Sequence, residues 1–125
     1  MTLPVLVNQR NGNDGYLQGW IDWDGNGDFA GDGEQIAIDL QSNVDGTSYI
    51  NIPLSVPEIA TEGTTYARFR WSTTNGLNTT GNASDGEIED YVVVIGPSAI
   101  TVTGSIFYDN GVGKGTPHDL SLIHI

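Results

Sequence analysis

Length, composition and charge bound what this chain of 125 residues can be. Sixteen Asp and Glu residues against four Lys and Arg give a formal net charge of −12. This charge disfavours nucleic acid and anionic membranes as partners, because both need basic side chains to neutralise phosphate. The chain has no cysteine, which excludes disulfides and thiolate metal sites, and no apolar run near the roughly 20 residues of a membrane helix.

Glycine and proline occur frequently along the whole sequence. With 17 Gly and 5 Pro there is little room for long helices, so we predict a single all-β domain. In chain order, the predicted strands lie at about residues 3–7, 16–23, 36–40, 49–56, 64–73, 87–95 and 100–107.

The alternation of apolar and polar residues predicts which side of a strand is buried. In the third strand Ile36, Ile38 and Leu40 alternate with polar or small residues, so we expect these three on the core side. The fourth strand has the cleanest period of two. Pro53 within it cannot donate a ladder hydrogen bond, which predicts a sheet edge or a bulge.

The strands at residues 64–73 and 87–95 are predicted to pair as a wide hairpin. Phe69 and Trp71 share one face of the first strand, and we expect Trp71 to belong to the core. The opposite face should therefore be the more polar one.

That polar face carries two of the four basic residues of the chain, Arg68 and Arg70. The partner strand begins with Glu87 and Glu89, which also share one face by the period of two. We therefore expect the two arginines to face the two glutamates; the alternative is that these are only exposed ion pairs that contribute under about 1 kcal/mol.

Negative charge is concentrated in the segment from Asp22 to Glu34, which reads DWDGNGDFAGDGE. Five carboxylates and one amide lie within these thirteen residues, and no Lys or Arg occurs between Arg10 and Arg68. Such carboxylates repel one another unless a cation neutralises them or every side chain turns into water. The alternatives are therefore a cation site and a solvated hairpin turn.

The spacing favours calcium. Asp22, Asp24 and Asn26 stand at alternate positions, Gly27 follows where a sharp turn is needed, and Asp28 comes next, as at the start of a calcium loop. Hard oxygen ligands without Cys or His nearby fit calcium better than zinc. Strand-like residues flank the segment, so we predict a Ca²⁺-bound turn between two strands, with Asp32 or Glu34 completing the shell. The predicted metal ligands are Asp22, Asp24, Asn26, Asp28, Asp32 and Glu34.

Two other groups of residues are candidates for different activities. Glu87, Glu89 and Asp90 could supply the carboxylate pair of a glycosidase, but neighbouring arginines lower a carboxyl pKa where a catalytic acid needs it raised. We therefore predict no catalytic residues and no enzyme activity. Six aromatic residues could form a sugar-stacking platform, for which only the two expected to point outward, Tyr49 and Tyr66, are good candidates. The six are Tyr16, Trp20, Trp23, Tyr49, Tyr66 and Trp71.

Three motifs together resemble one known family. Gly19 to Phe29 reads GWIDWDGNGDF, Tyr66 to Thr73 reads YARFRWST, and Gly86 to Val93 reads GEIEDYVV. In this order they are similar to the GEVED domain of bacterial surface and secreted proteins, over about residues 3–95, with Ile88 in place of the usual valine. The resemblance implies a small antiparallel β-sandwich of jelly-roll or immunoglobulin-like type, used as a repeated accessory module without catalytic activity of its own.

The rest of the chain is expected to follow this domain. We assign residues 1–96 to the domain and residues 97–119 to a linker and the truncated start of a second β domain, unless that strand is donated to the first. Gly104 to Gly111 is similar to the start of the B-like repeats of bacterial adhesins, which also bind calcium. Residues 120–125 match the translation of a sequencing-library adapter, and we expect them to be read-through.

Taken together, the sequence predicts a calcium-stabilised, non-catalytic adhesion or spacer module of a large secreted or cell-surface bacterial protein. An extracellular location is expected although no signal peptide is visible. The alternative is a carbohydrate-binding module attached to an extracellular hydrolase. Expected partners are a protein or glycan ligand and neighbouring domains of the same chain, and neither nucleic acid nor a membrane.

Overall fold

The described part of the chain is built from antiparallel β-strands, as predicted. The computed structural model describes residues 1–9, 15–42, 44–102 and 105–108. The strands are β1 (Thr2–Gln9), β2 (Tyr16–Ile21), β3 (Gln35–Leu40), β4 (Gly46–Pro53), β5 (Gly63–Ser72), β6 (Glu87–Ile95), β7 (Ala99–Val102) and β8 (Ser105–Tyr108). Among the described residues, no helix is long and apolar enough to cross a membrane.

The strands form two sheets that curl into a half-barrel. β1 and β4 pair with each other, and the remaining strands follow the order β3, β2, β5, β6, β7, β8 in the larger sheet. Pro53 is the last residue of β4, which has one partner strand, so it interrupts no ladder on a second side.

The hydrophobic core draws side chains from both sheets. Leu3, Val5 and Val7 of β1 and Ile50 and Ile52 of β4 are buried at every second position, as a strand with one face on a core requires. The large sheet contributes to the same cluster with β2, β3, β5, β6 and β7. Each large aliphatic side chain buried here stabilises the fold by about 1.5–3 kcal/mol.

β2 lies at the centre of this arrangement and is buried on both faces. Leu17 and Ile21 point into the core, whereas Gln18 and Trp20 are buried outside the core cluster. Gln18 accepts a hydrogen bond from the backbone N–H of Asp39 at 3.1 Å and donates to the Asp39 carboxylate. Both polar atoms of its buried side-chain amide therefore have a partner. We call the side of the large sheet that carries Gln18 and Trp20 its outer face.

β3 departs from the predicted pattern. Ala37 is buried, Ile38 is 64% exposed, and Ile36 and Leu40 are only partly buried against the core. The expectation that Ile38 shares a core face with its neighbours is therefore wrong. The physical reason is a register shift between the Leu17–Leu40 and Gly19–Ala37 pairs: β2 advances by two residues and β3 by three, which puts Ala37 on the core face and turns Ile38 outward.

The predicted hairpin of β5 and β6 is confirmed. The two strands pair antiparallel without interruption from Gly63 opposite Ile95 to Trp71 opposite Glu87. Trp71 is buried in the core cluster, as expected, and its ring leaves no room for a side chain at Gly15.

The expected pairing of Arg68 and Arg70 with Glu87 and Glu89 is wrong. Residues directly opposite one another share a face, and the observed register sets Arg68 opposite Asp90. Both glutamates stand opposite core-facing residues of β5 and so lie on the other side of the sheet from the arginines. The period of two holds on each strand, but it does not determine the register that joins the two strands.

The strand after the break at Gly96 adds to the same sheet. β7 pairs with β6, and its residues Ile100 and Val102 are fully buried in the common core. β8 in turn pairs with β7. The division of the chain at residue 96 stays a prediction, and residues 109–125, with the predicted adapter read-through, lie outside the described residues.

The long connection between β5 and β6, residues 73–86, is fastened to the sheet by polar contacts. Arg70 is buried, and its guanidinium donates to the backbone carbonyls of Asn78, Thr80 and Gly81 at 2.7, 3.1 and 3.0 Å. Near the end of the connection, the Asp85 carboxylate closes the loop back onto the end of β5.

Asp85 accepts hydrogen bonds from the Thr73 hydroxyl at 2.6 Å, the Thr73 backbone N–H at 2.9 Å and the Ser72 hydroxyl at 2.8 Å. These bonds, those of Thr73 first, lower the pKa of Asp85, because they favour the ionised carboxylate. A lowered pKa contributes stability above the ordinary Asp pKa of about 3.9, and this contribution is lost as the pH falls through the folded-state value.

We therefore expect Asp85→Asn to lower Tm at pH 7 and the difference from the parent protein to close as the pH falls below about 4. Thermal melts followed by circular dichroism between pH 7 and pH 2.5 measure it. Glu58→Gln, which removes an exposed carboxylate in another turn, is the charge-matched control. A gap between Asp85→Asn and the parent that stays constant with pH would contradict the role given to the ionised carboxylate.

Gly86 is required where the connection enters β6. It has a φ of 100°, and an added Cβ would overlap the carbonyl oxygen of Trp71. Gly81 has the same φ, but a Cβ there would meet no atom within 4 Å. Substitutions at these two glycines therefore distinguish the effect of backbone strain from that of steric overlap.

We expect Gly81→Ala to reduce the free energy of unfolding by about 1–3 kcal/mol, the usual range for a strained backbone conformation. Gly86→Ala should reduce the free energy of unfolding by about 1–3 kcal/mol more, because the end of β5 and the start of β6 must move apart to make room for the Cβ. Urea denaturation of the two variants measures the difference. Equal losses would show that the close approach of Gly86 to Trp71 is not a constraint.

Candidate metal centre

Three carboxylates converge in the acidic segment. Asp22 follows the end of β2, Asp24 stands two residues later, and Glu34 immediately precedes β3. One carboxylate oxygen from each lies within 4.8 Å of the other two. Oxygens bound to one Ca²⁺ at 2.3–2.6 Å are at most about 5 Å apart, so the three can share a single ion.

Backbone hydrogen bonds fix both ends of this segment to the large sheet. The N–H of Asp22 donates to the carbonyl of Tyr66 at 3.0 Å, and the Thr65 hydroxyl donates to the carbonyl of Asp22 at 2.6 Å. At the other end, the N–H of Ile21 donates to the carbonyl of Glu34 at 2.9 Å. The carboxylates of Asp22 and Glu34 are thus held by strand ends that cannot separate without breaking the sheet.

The Asp22 carboxylate also organises the turn. Its two oxygens accept the backbone N–H groups of Asn26 at 3.1 Å and Gly27 at 2.9 Å. Asp24 shares the Asn26 N–H at 3.2 Å. Gly27 has a φ of 91°, a conformation that a side chain would strain, which agrees with the sharp turn expected at this position.

Glu34 is the unusual member of the cluster. It is 0% exposed, and its Oε2 accepts the backbone N–H of Gly31 at 2.9 Å. Its Oε1 is buried and has no hydrogen-bond partner among the described residues. Burial raises the pKa of Glu34, and the nearby charges of Asp24 and Asp22 raise it further. A buried carboxylate oxygen without a donor is costly, and a cation bound there would satisfy it.

The other three predicted ligands lie outside this cluster of carboxylates. Asn26, Asp28 and Asp32 are exposed. The side-chain oxygen of Asn26 accepts the N–H of Asp28 at 3.0 Å, and that of Asp28 accepts the N–H of Ala30 at 3.0 Å. Their role as ligands stays a prediction. Of the two residues proposed to complete the shell, Glu34 is brought to Asp22 and Asp24, whereas Asp32 is not part of that group.

A contact that the sequence did not suggest joins the acidic segment to β5. The guanidinium of Arg68 lies 5.7 Å from the centre of the Phe29 ring, a cation–π arrangement. The same guanidinium donates to both oxygens of Asp90, at 2.8 and 2.9 Å, and to the carbonyl of Thr79 at 2.9 Å. Phe29 is the one large apolar residue between Trp23 and Ile36, which is the only signal that could have marked it.

The carboxylates of β6 do not have the environment of a catalytic pair. The hydrogen bond and charge of Arg68 lower the pKa of Asp90, whereas a general acid needs a raised one. Glu89 accepts a hydrogen bond from the hydroxyl of Tyr91. In the described part of the chain, the geometry offers a better case for binding a cation than for acid–base chemistry.

Comparison with known proteins identifies the family of this chain. A family model described as the GEVED domain matches residues 16–94, well over half of the chain. The chain belongs to the GEVED domain family. The match spans β2 to β6 and includes the whole acidic segment, so the carboxylate cluster of this GEVED domain lies within the family region. GEVED domains are accessory modules of bacterial proteins and occur in surface or secreted ones. No curated protein and no solved structure gives a significant match.

The aromatic residues divide as expected for a β-fold. Trp20, Trp23 and Trp71 are buried. Tyr49 is 40% exposed and Tyr66 is 56% exposed, so the two tyrosines predicted to point outward do so. They lie on β4 and β5, which belong to different sheets of the GEVED domain, and therefore do not form one flat row.

We expect Glu34→Gln to stabilise the ion-free GEVED domain at pH 7. The substitution removes a buried charge and gives the orphaned position a group that can donate to Asp22 or Asp24. The gain should be up to about 1–3 kcal/mol, the usual cost of a buried polar group without a partner. Urea denaturation in excess EDTA measures it, with Asp32→Asn as the control that removes an exposed charge from the same segment. A destabilised Glu34→Gln under these conditions would contradict the reading of Glu34 as an uncompensated acceptor.

Proposed function

We propose that this GEVED domain is a calcium-stabilised, non-catalytic module of a secreted or cell-surface bacterial protein, serving as a spacer or adhesive unit. The observation that carries the proposal is the buried Oε1 of Glu34, which has no partner among the described residues and lies beside the carboxylates of Asp22 and Asp24. Net repulsion among three carboxylates and an unfilled acceptor are both removed by one cation.

Calcium suits the donor set better than other common ions. The ligands are hard carboxylate oxygens, and no cysteine exists to favour a softer metal. Magnesium demands near-ideal octahedral geometry and retains its waters, whereas calcium tolerates the irregular set that a loop between strands provides. Calcium-binding modules outside the cell bind at about 10⁻⁴–10⁻³ M, an affinity that a partly exposed site of this kind can reach.

The ion would act on the fold by joining the end of β2 to the start of β3. Both residues that anchor the site, Asp22 and Glu34, are already tied to the sheet through their backbones. Occupancy would therefore oppose opening of the turn between them. A module kept rigid in this way fits a spacer or adhesive unit, whose role is to hold neighbouring domains at a fixed position and which needs no substrate turnover.

Calcium should raise the Tm of the domain in proportion to occupancy, since a ligand that binds only the folded state adds RT ln(1 + [L]/Kd), about 2.7 kcal/mol at a hundredfold excess over Kd. Differential scanning calorimetry across a CaCl₂ titration, with EDTA as the starting point, measures the shift. Glu34→Gln should abolish it, and Glu58→Gln, an exposed and distant carboxylate, should leave it unchanged. A Tm that does not respond to calcium in the parent protein would refute the proposal.

A further inference from the structure

The carboxylate cluster is closed on the sheet side and open on the loop side. Asp22 and Glu34 are almost completely buried, Asp24 is half-buried, and all residues from Gly25 to Asp28 are exposed. An ion held by these three carboxylates would therefore contact protein on its inner side and face solvent over the turn.

The cluster by itself cannot fill a calcium shell. One oxygen from each of its three carboxylates comes to a common point, which supplies three ligands. Calcium takes 6–8 oxygen ligands. Positions on the solvent side are thus left for oxygens from outside the three side chains, either waters or the groups of a ligand.

The charge at the site restricts which ligand could replace those waters. Three carboxylates with one Ca²⁺ leave a local charge of about −1, and the whole chain carries −12. A carboxylate or phosphate ligand would be repelled. Neutral hydroxyl groups are not repelled, and a pair of adjacent hydroxyls on one sugar ring can replace two waters with one molecule.

An exposed aromatic side chain stands next to the site. Tyr66 accepts the backbone hydrogen bond of Asp22 at 3.0 Å, so the two residues are neighbours across the strands. Tyr66 is 56% exposed, and Val92, directly opposite it on β6, is 49% exposed. The surface beside the cluster therefore offers an apolar, aromatic patch where one face of a sugar ring can pack.

We propose that the calcium ion of this site keeps at least two solvent-facing coordination positions and that adjacent hydroxyls of a neutral glycan occupy them, with Tyr66 packing against the sugar ring. The inference rests on the proposed function, because it requires the ion. It adds a ligand class to a site that the first proposal treats as structural. The glycan would bind only while the ion is present.

Europium(III) in place of calcium tests the inference, because its luminescence lifetimes in H₂O and D₂O count the waters bound to the ion. We expect at least about two bound waters in the isolated domain, and fewer in the presence of at least one of three neutral polysaccharides, mannan, dextran and laminarin. Tyr66→Ala should keep the europium and its waters but weaken their displacement at least tenfold in polysaccharide concentration. Tyr49→Ala, the matched exposed tyrosine on the other sheet, should behave as the parent protein.

The outcomes separate the two proposals. If neither europium nor calcium binds, the proposed function fails. If the ion binds without any coordinated water, or none of the three polysaccharides displaces water from it, the site is structural only and this inference is overturned while the proposed function stands. Equal losses in Tyr66→Ala and Tyr49→Ala would overturn the role of Tyr66.

Discussion

Repulsion among the carboxylates of Asp22, Asp24 and Glu34 is the constraint on which this region of the structure depends. Two of the three are held by the backbone and cannot simply turn into water: Asp22 caps the turn, Glu34 accepts from Gly31, and both are buried. Hydrogen bonds from N–H groups compensate part of the charge, because a carboxylate that accepts them is stabilised in its ionised form. Among the described residues, no hydrogen bond reaches Oε1 of Glu34. The fold thus concentrates negative charge at one point and leaves one acceptor unfilled, a combination that a divalent cation resolves and that few other ligands could.

The outer face of the large sheet depends on positively charged side chains, in contrast to the carboxylate cluster. In the part of the chain that the structure describes, Arg68 and Arg70 are the only Lys or Arg side chains, and both stand on β5 facing outward. Arg70 holds the connection between β5 and β6 through three carbonyls, while Arg68 joins Asp90, Thr79 and the ring of Phe29. An exposed ion pair alone contributes little, under about 1 kcal/mol. The larger contribution of these arginines is their four hydrogen bonds to carbonyls of the β5–β6 connection, together with the contact of Arg68 with Phe29 in the acidic segment.

Much of the fold could be predicted from local sequence patterns, and the predictions that were wrong share one cause. Alternation along a single strand correctly placed Trp71 inside and Tyr49 and Tyr66 outside. The structure brings Asp22 and Asp24 together, whereas Asn26 is exposed and the role of all three as ligands stays a prediction. What local pattern cannot supply is register between strands. The register shift between Leu17 and Gly19 turned Ile38 outward, and the pairing of β5 with β6 set Arg68 against Asp90 rather than a glutamate. The choice between Asp32 and Glu34 has the same origin, since only the pairing of β2 with β3 brings Glu34 back beside Asp22.

The acidic segment and the outer face of the large sheet are in contact, so a cation bound to the carboxylate cluster would affect residues beyond the turn. Phe29 belongs to the acidic segment and packs against Arg68, and Arg68 in turn contacts the connection that Arg70 fastens to the sheet. A change in the acidic segment therefore has a contiguous route to residues 73–86, through contacts that are individually weak. Because β5 and β6 are joined by an uninterrupted ladder and the strands share a common core, the loops rather than the strands would take up any rearrangement. The ion would then govern the shape of the outer surface while leaving the β-fold itself unchanged, which is how an accessory module could respond to calcium without unfolding.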